Sequence, residues 1–174
     1  YKRQVLDFPT NNIRPAIKTS NGQKLTTFIN ADVTSKLTEF VQAQGGSLFT
    51  GLLAVTNIAL HKYSSQEEFT IGTPMSGREH KDLENQIGFY VNTLALRNKV
   101  EKASDFIANH KAIKENTLQA FGHQAYSFDR LIEELDIERN TSRNALFDVM
   151  VVMQNNAGTN KTLSLIHISE PTRQ

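Results

Sequence analysis

Apolar residues along this chain recur in some segments with a helical period and in others with the alternation of a strand. The first helix is indicated by apolar residues three or four positions apart: Val33, Leu37, Phe40 and Val41. Gly45 and Gly46 follow as a helix end, and Ser47 is a suitable N-cap for a second helix that runs to about Tyr63. The pattern therefore predicts two consecutive helices separated by a tight turn.

Four segments have the β-branched, aromatic or alternating composition of strands. They cover residues 24–30, 68–73, 88–97 and 146–154. Pro74 is expected to end the second of them, because proline has no N–H to donate to a strand ladder. The third is apolar on both of its faces, which is typical of a strand that is covered on both sides.

The segment between the last two strands has a helical pattern. A long helix is predicted from an N-cap at Ser104 to about Gly122, followed by a shorter helix over residues 128–135. The residues expected to face the core from the long helix are Ile107, His110, Ile113, Leu118 and Phe121. The order strand, helix, helix, strand, strand, helix, helix, strand predicts an α/β fold with one mixed sheet and helices packed on it.

Composition narrows the possible classes of protein. The chain has 174 residues, 39% of them hydrophobic and 21% charged, which suits one domain or a large part of one. Its formal net charge of +1 gives no electrostatic surplus for nucleic acid, and no apolar run reaches the length of a membrane span. Cysteine is absent, which excludes disulfides and thiolate chemistry and fits a cytoplasmic protein. Because the chain opens on Tyr1, we expect it to be a piece of a longer polypeptide.

The residues alone show no catalytic constellation. None of the five histidines stands in a zinc-hydrolase motif, and the glycine-rich loops that cradle phosphate are absent, so we expect no metal site. His110 falls on the predicted core face of its helix, where a hydrogen-bonded structural histidine is the favoured interpretation.

Five segments in register carry a resemblance to a known family. Residues 71–78 read IGTPMSGR, and residues 87–97 read IGFYVNTLALR. Residues 6–15 form a proline-marked connector, residues 123–129 read HQAYSFD, and residues 139–147 read RNTSRNALF. Together these segments closely resemble condensation domains of non-ribosomal peptide synthetases, enzymes of secondary metabolite biosynthesis.

The resemblance implies a fold and a division of the chain. Condensation domains have two lobes, each like chloramphenicol acetyltransferase, with the active site between them. This chain resembles part of the second lobe, incomplete at both ends. We expect residues 1–162 to be this partial domain. We expect residues 163–174 to be a non-native tail translated from a sequencing adapter.

The resemblance also implies an activity. In the family, the α-amino group of an acceptor attacks a donor thioester, and both substrates arrive on phosphopantetheine arms of carrier proteins. The catalytic signature of the family, His-His-x-x-x-Asp-Gly, belongs to the first lobe and does not occur here. We therefore expect no catalytic residue in this chain and no activity of the chain alone.

The partners follow from the same resemblance. They are carrier-protein domains upstream and downstream, the first lobe of the same domain and an adenylation domain in the same polypeptide. The net charge and the short apolar runs already indicate no nucleic acid and no membrane among the partners. No cofactor is expected to bind directly, because phosphopantetheine is carried by the partner domains. Two alternatives stay open: a non-catalytic lobe of the same fold that docks a carrier protein or tailoring enzyme, and a free-standing acyltransferase.

The matching motifs supply the candidate site residues. Asn92 and Thr93 are candidates for the substrate tunnel. Asn92 would hydrogen-bond a pantetheine amide or substrate carbonyl, or it would satisfy a neighbouring backbone group, and we favour the second role. The motif residues expected to hold strand–loop and helix–strand junctions are Gly72, Pro74, Arg78, Gly88, Arg97, His123, Phe128, Arg139, Ser142 and Arg143.

Overall fold

The computed structural model describes residues 5–10, 13–78, 80–83, 86–137 and 140–154. Its helices are α1 (Ala31–Ala43), α2 (Leu48–Ser64), α3 (Phe106–Gly122) and α4 (Phe128–Glu134), and a short 3₁₀ turn spans Lys81–Leu83. Its strands are β1 (Glu68–Met75), β2 (Asn92–Lys99) and β3 (Val149–Met150). They form one sheet in the order β2-β1-β3, in which β1 is antiparallel to β2 and parallel to β3. The predicted mixed α/β class is confirmed.

In the turn between α1 and α2, the predicted glycine ends the first helix and the predicted serine caps the second. Gly45 has a φ of +68°, a left-handed conformation that glycine adopts without steric cost. Ser47 is the N-cap of α2 and forms a capping box, in which its hydroxyl accepts from the Thr50 N–H and the Thr50 hydroxyl accepts from the Ser47 N–H. These bonds satisfy donors that a helix start leaves open.

The core lies between the sheet and the helices. α3 packs against β2 and α2, and α1 packs against α2. The buried hydrophobic cluster draws on every layer: Leu6, Leu53, Ala54, Leu60, Phe69, Ile71, Leu94, Leu96, Val100, Ile113, Val149 and Val151. Burial of such side chains is the main force that holds the sheet to its helices.

The predicted strand at residues 24–30 is wrong. This segment has no regular structure and is exposed, with Leu25 86% and Phe28 80% exposed. Its composition favours a strand, but a strand also needs a neighbour for its backbone hydrogen bonds, and none of the described strands lies beside it.

The other strands differ from the prediction at their ends. β1 continues through Pro74 to Met75. The carbonyl of Gly72 points toward β3 and accepts from the Val151 N–H. Residues two apart in a strand direct their backbone groups to the same side, so the nitrogen of Pro74 also faces the β3 side. The pairing of β1 with β3 has ended before Pro74, so no strand there needs its N–H. A proline there removes no bond between β1 and β2. The predicted strand over residues 146–154 is reduced to the two residues of β3.

β2 lies four residues later than predicted at its start and is covered on one face rather than two. Leu94, Leu96 and Asn98 are buried, whereas on the opposite face Ala95 is partly buried and Arg97 and Lys99 are exposed. Phe89, in the predicted strand, precedes β2 and is 90% exposed.

α3 begins and faces the core differently from the prediction. Asp105 is the N-cap, since its Oδ1 accepts from the Ala108 N–H at 2.8 Å, whereas the Ser104 hydroxyl donates to Glu101. Ile107 and Leu118 are largely exposed, at 43% and 57%. The residues of α3 that are fully buried are mostly polar: Asn109, His110, Ile113 and Thr117. His110 and Ile113 are thus buried as predicted. Asn109 and Thr117 hydrogen-bond to nearby backbone carbonyls, so an apolar pattern does not reveal them.

His110 is fully buried at the contact of α3 with the start of α2. Its Nε2 lies 3.2 Å from the Thr50 hydroxyl oxygen, and its ring stacks on Phe106. A Cβ on Gly46 would approach the imidazole to 2.7 Å, so this glycine makes room for the ring. The structural role predicted for His110 is confirmed. Burial, and secondarily the charge of Lys114, lowers the pKa of His110 below 6.5.

This lowered pKa makes stability depend on pH. In the unfolded chain His110 takes up a proton near its ordinary pKa of 6.5, whereas the folded chain resists it. The free energy of unfolding should therefore be highest above pH 6.5 and fall as the pH drops toward the lowered pKa. His110→Gln should reduce this pH dependence in urea titrations, and the control His123→Gln, at an exposed histidine, should not. Equal pH dependence in both variants would contradict the assignment.

Gly72 is a second position where packing requires glycine. A Cβ there would lie 2.5 Å from the Phe147 ring, which packs over β1 and also contacts Phe128 with ring centroids 5.6 Å apart. Phe147 is buried and is thereby fixed between the sheet and α4.

We predict that Gly72→Ala lowers the free energy of unfolding by about 1–3 kcal/mol through overpacking. Gly122→Ala is the matched control, because a Cβ on that helical glycine meets nothing within 4 Å, and it should leave stability unchanged or slightly higher. Phe147→Leu should offset part of the Gly72→Ala loss in a double-mutant cycle. Equal effects of the two alanine substitutions in denaturant titrations would contradict this packing.

Candidate functional site

The loop between β1 and β2, residues 76–91, is tied together by Arg78. The guanidinium donates to the carbonyl of Leu83 and, at 3.3 Å, to the carbonyl of Gly88. It also lies over the Tyr90 ring, 4.4 Å from the ring centroid. One side chain thus fixes three points of the loop.

Two glycines of this loop permit its close turns. Gly77 has a φ of +62°, and a Cβ on it would collide with the Tyr90 carbonyl. A Cβ on Gly88 would come within 2.8 Å of the Tyr90 ring. Arg78, Gly77 and Gly88 therefore all meet at Tyr90, and the loop folds back on the end of β1.

Asn92, the first residue of β2, clamps the turn between α3 and α4. Its Nδ2 donates to the carbonyls of Gln124 at 2.7 Å and Tyr126 at 2.8 Å. Its Oδ1 accepts from the N–H of Thr93 at 2.9 Å and of Phe128 at 3.2 Å. An amide side chain has two donor hydrogens and two acceptor lone pairs, so Asn92 is saturated. The geometry corresponds to the backbone-satisfying role and leaves no group of Asn92 for a substrate.

Thr93 lies next to this clamp. It is half-buried and stands opposite Pro74 in the pairing of β1 with β2. The structure therefore brings the two tunnel candidates, Asn92 and Thr93, together at the end of the β1–β2 pair where the loop of residues 76–91 departs.

His123 and Phe128 flank the turn that Asn92 holds. His123 is the exposed C-cap of α3, and its carbonyl accepts from the Tyr126 N–H at 3.0 Å. Phe128 opens α4 and packs against Phe147. At the far end of β2, Arg97 forms an ion pair with Glu68 of β1.

Tyr126, two residues before α4, forms a small polar cluster with Arg130 and Glu134 of that helix. Its hydroxyl hydrogen-bonds to Glu134, which lowers the pKa of Glu134 and raises the pKa of Tyr126. Arg130 lies over the Tyr126 ring and donates to Glu134 Oε1 at 2.9 Å. The cluster is exposed, so it fixes the turn only weakly compared with the Asn92 bonds.

Arg143 joins the N-terminal segment to the loop before β3. It donates to the Leu6 carbonyl at 3.1 Å and to Asp148 Oδ2 at 2.6 Å. The Arg143 and Asp148 side chains are only 17% and 10% exposed, which makes this a shielded pair. Ser142 hydrogen-bonds to Asn140 at 2.6 Å. Arg139 lies outside the described residues.

Residues 14–18, at the end of the connector and just after it, are bound to the same loop, which the sequence pattern did not predict. The Lys18 N–H donates to the Thr141 carbonyl at 2.8 Å, and the Thr141 hydroxyl donates to the Ala16 carbonyl at 2.8 Å. Arg14 donates to the Ser142 carbonyl at 3.4 Å. The only sequence signal was the adjacency of Arg14 to Pro15 in the motif, because hydrogen bonds of an irregular segment leave no periodic pattern.

Within the described ranges, no cluster of three or more histidine, cysteine or carboxylate side chains has the arrangement of a metal site. In the same ranges, no single helix is long and apolar enough to cross a membrane; α1 and α2 pass that test only as a pair, bent by 102°.

Comparison with known proteins gives consistent matches. The family model described as "Condensation domain" matches residues 2–172. The chain is 43% identical to Tyrocidine synthase 3 of Brevibacillus parabrevis over 151 residues, which are 87% of this chain and 2% of the relative. It is 44% identical to Gramicidin S synthase 2 of Brevibacillus brevis over 154 residues, 88% of this chain and 4% of the relative. The chain thus spans only a small part of these proteins.

Solved structures agree. A four-domain non-ribosomal peptide synthetase, AB3403, crystallised with AMP and glycine, superposes with a TM-score of 0.82 at 26% identity over 97% of this chain and 14% of its own. The X-domain from teicoplanin biosynthesis superposes with a TM-score of 0.77 over 86% of this chain and 33% of its own. At 23% identity, this second match shows the fold alone.

The Asn92 clamp can be tested with an isosteric change. Asn92→Asp keeps the acceptor but removes both Nδ2 hydrogens, which leaves two carbonyls without their donor and places a negative charge beside them. We expect a loss of about 1–3 kcal/mol in the free energy of unfolding. Gln119→Glu, the same chemical change at an exposed position of α3, should alter it by less than about 0.5 kcal/mol. Similar effects of both changes on denaturation would contradict the clamp.

Proposed function

The chain belongs to the condensation-domain family, and from that premise we propose that it forms part of the second lobe of a domain that makes amide bonds between carrier-bound aminoacyl or peptidyl thioesters. The observation that carries this proposal is the family match across nearly the whole chain, together with identities above 40% to Tyrocidine synthase 3 and Gramicidin S synthase 2. The IGFYVNTLALR motif supports the same proposal, because it supplies most of β2 and the Asn92 side chain that holds the α3–α4 turn.

The reaction proposed for the whole domain is an acyl transfer. The acceptor amine attacks the donor thioester carbonyl, so a C–N bond forms, the C–S bond breaks and the donor's pantetheine leaves as a thiol. The amine proton has to pass to a base, and the family assigns that work, or the positioning of the amine, to a histidine of His-His-x-x-x-Asp-Gly. This chain has no such signature. We therefore assign it a scaffold role and propose that it is inactive by itself.

The scaffold role is supported by how the motif side chains are used. Asn92 and Arg78 both bind main-chain carbonyls of the chain itself, and Arg143 binds one main-chain carbonyl and one carboxylate. These bonds fix the loop of residues 76–91, the α3–α4 turn and the loop before β3 relative to one sheet. Rigid positioning of this kind is what a second lobe contributes when the reacting groups stand on the first.

The partners proposed for the whole protein are donor and acceptor carrier domains, which bring the phosphopantetheine arms, and an adenylation domain in the same polypeptide. We also propose that residues 1–162 are native and that 163–174 are an adapter-derived tail; this tail lies outside the described residues.

A non-catalytic docking lobe is the second candidate. The observation that favours it is the fold shared with the X-domain of teicoplanin biosynthesis, which has also been solved as a complex with OxyB. The two candidates differ in whether the histidine signature accompanies this chain in the same domain.

The test compares this chain with the longer polypeptide that contains it, supplied with carrier proteins loaded with donor and acceptor groups. We expect amide product from the longer polypeptide, none from the 174-residue chain, and none from the longer polypeptide after His→Ala replacement of the second histidine of its signature. Turnover by the short chain would contradict its scaffold role. A longer polypeptide that binds carriers but makes no amide would favour docking.

A further inference from the structure

A polar hollow lies between residues 14–22 and the loop before β3, and it is separate from Asn92 and the loop of residues 76–91. Two of the matching motifs contribute to its walls, residues 6–15 through Arg14 and residues 139–147 through residues 142–144. Its walls are residues 14 and 18–22 on one side and residues 142–144 and 148 on the other. The connector is held over it by the Lys18–Thr141 and Thr141–Ala16 hydrogen bonds. The hollow is therefore bounded by two segments that are distant in sequence but fixed to one another.

The charges around this hollow do not balance. Arg143 and Asp148 compensate each other through their 2.6 Å contact. Arg14 is half-buried and contacts only the neutral carbonyl of Ser142, at 3.4 Å. The Lys18 ammonium contacts the neutral Asn144 Oδ1 at 2.8 Å. Among the described residues, neither Arg14 nor Lys18 has a carboxylate within ion-pair distance, so two positive charges remain at the hollow.

The rest of the wall consists largely of groups that can donate hydrogen bonds. Residues 19–22 contribute two hydroxyl groups, an amide and a glycine backbone. In the described part of the chain, their backbone N–H groups take part in no intramolecular hydrogen bond. Backbone donors beside a guanidinium and an ammonium are the groups that bind phosphate oxygens in proteins.

We propose that this hollow binds a phosphate dianion, either inorganic phosphate or a small phosphate monoester. A phosphate monoester carries a charge of about −1.5 to −2 at pH 7, which matches the two uncompensated cations. Arg14 supplies a planar pair of donors and Lys18 a point charge. The bound ligand would join the connector to the loop before β3. The site does not depend on the amide-forming activity, because only binding is proposed.

The experiment titrates the full chain with inorganic phosphate, glycerol 2-phosphate and dimethyl phosphate at constant ionic strength, following phosphorus NMR line width and thermal stability. We expect line broadening and stabilisation with the first two ligands and much weaker effects with dimethyl phosphate, which carries one charge. Whichever of the first two binds more tightly identifies the source of the phosphate. Binding of glycerol 2-phosphate should weaken below about pH 6, where the monoester dianion takes up a proton.

Paired substitutions separate the charges from the fold. Arg14→Gln with Lys18→Gln should weaken binding at least tenfold. Arg14→Lys with Lys18→Arg keeps both charges and should bind more tightly than the glutamine pair but more weakly than the original, because lysine at position 14 lacks the planar pair of donors. The control Lys62→Gln with Lys111→Gln removes two exposed lysines of α2 and α3 and should bind unchanged.

Three results would overturn the proposal: no broadening of inorganic phosphate or glycerol 2-phosphate by the original chain, equal binding of dimethyl phosphate, or equal weakening by the control substitutions. If the glutamine variant does not fold, the first two measurements on the original chain still decide the outcome.

Discussion

The four hydrogen bonds of Asn92 are the constraint on which the candidate site depends. Three elements meet at this side chain: β2 begins with it, α3 ends in the turn whose carbonyls it binds, and α4 starts with the N–H that it accepts. A half-buried amide with every donor and acceptor used holds its neighbours in one arrangement, because breaking one bond leaves a polar group without a partner. The sheet and the two C-terminal helices are thereby fixed relative to each other.

Close packing extends this constraint across the sheet. Gly72 leaves room on β1 for the Phe147 ring, and Phe147 in turn contacts Phe128 at the start of α4. Arg143 then ties the same region to the N-terminal segment through Leu6 and Asp148. These contacts join residues that are far apart in sequence along the length of β1, from the loop of residues 76–91 at its end to Leu6, whose neighbours Val5 and Asp7 bind Gln66 just before the start of that strand.

The sequence predicted elements that are specified locally and missed those that depend on distant contacts. The capping box of Ser47 and the left-handed Gly45 are set by neighbouring residues, so the α1–α2 turn was predicted correctly. Residues 24–30 have strand-like composition but lack a partner strand, which composition cannot supply. On the buried face of α3, His110 and Ile113 were predicted, but Asn109 and Thr117 were not, because they are polar and hydrogen-bonded. For the site, the resemblance pointed to Asn92, but only the structure shows that the donors and acceptors of its side chain are all in use.

The scaffold role that we propose for this chain requires a catalytic first lobe in the same polypeptide. Long-read sequencing across the locus, outward from the codons for residues 5–155, is the decisive measurement. We expect a His-His-x-x-x-Asp-Gly sequence upstream in the same reading frame. An upstream lobe of the same fold without those histidines would contradict the amide-forming role.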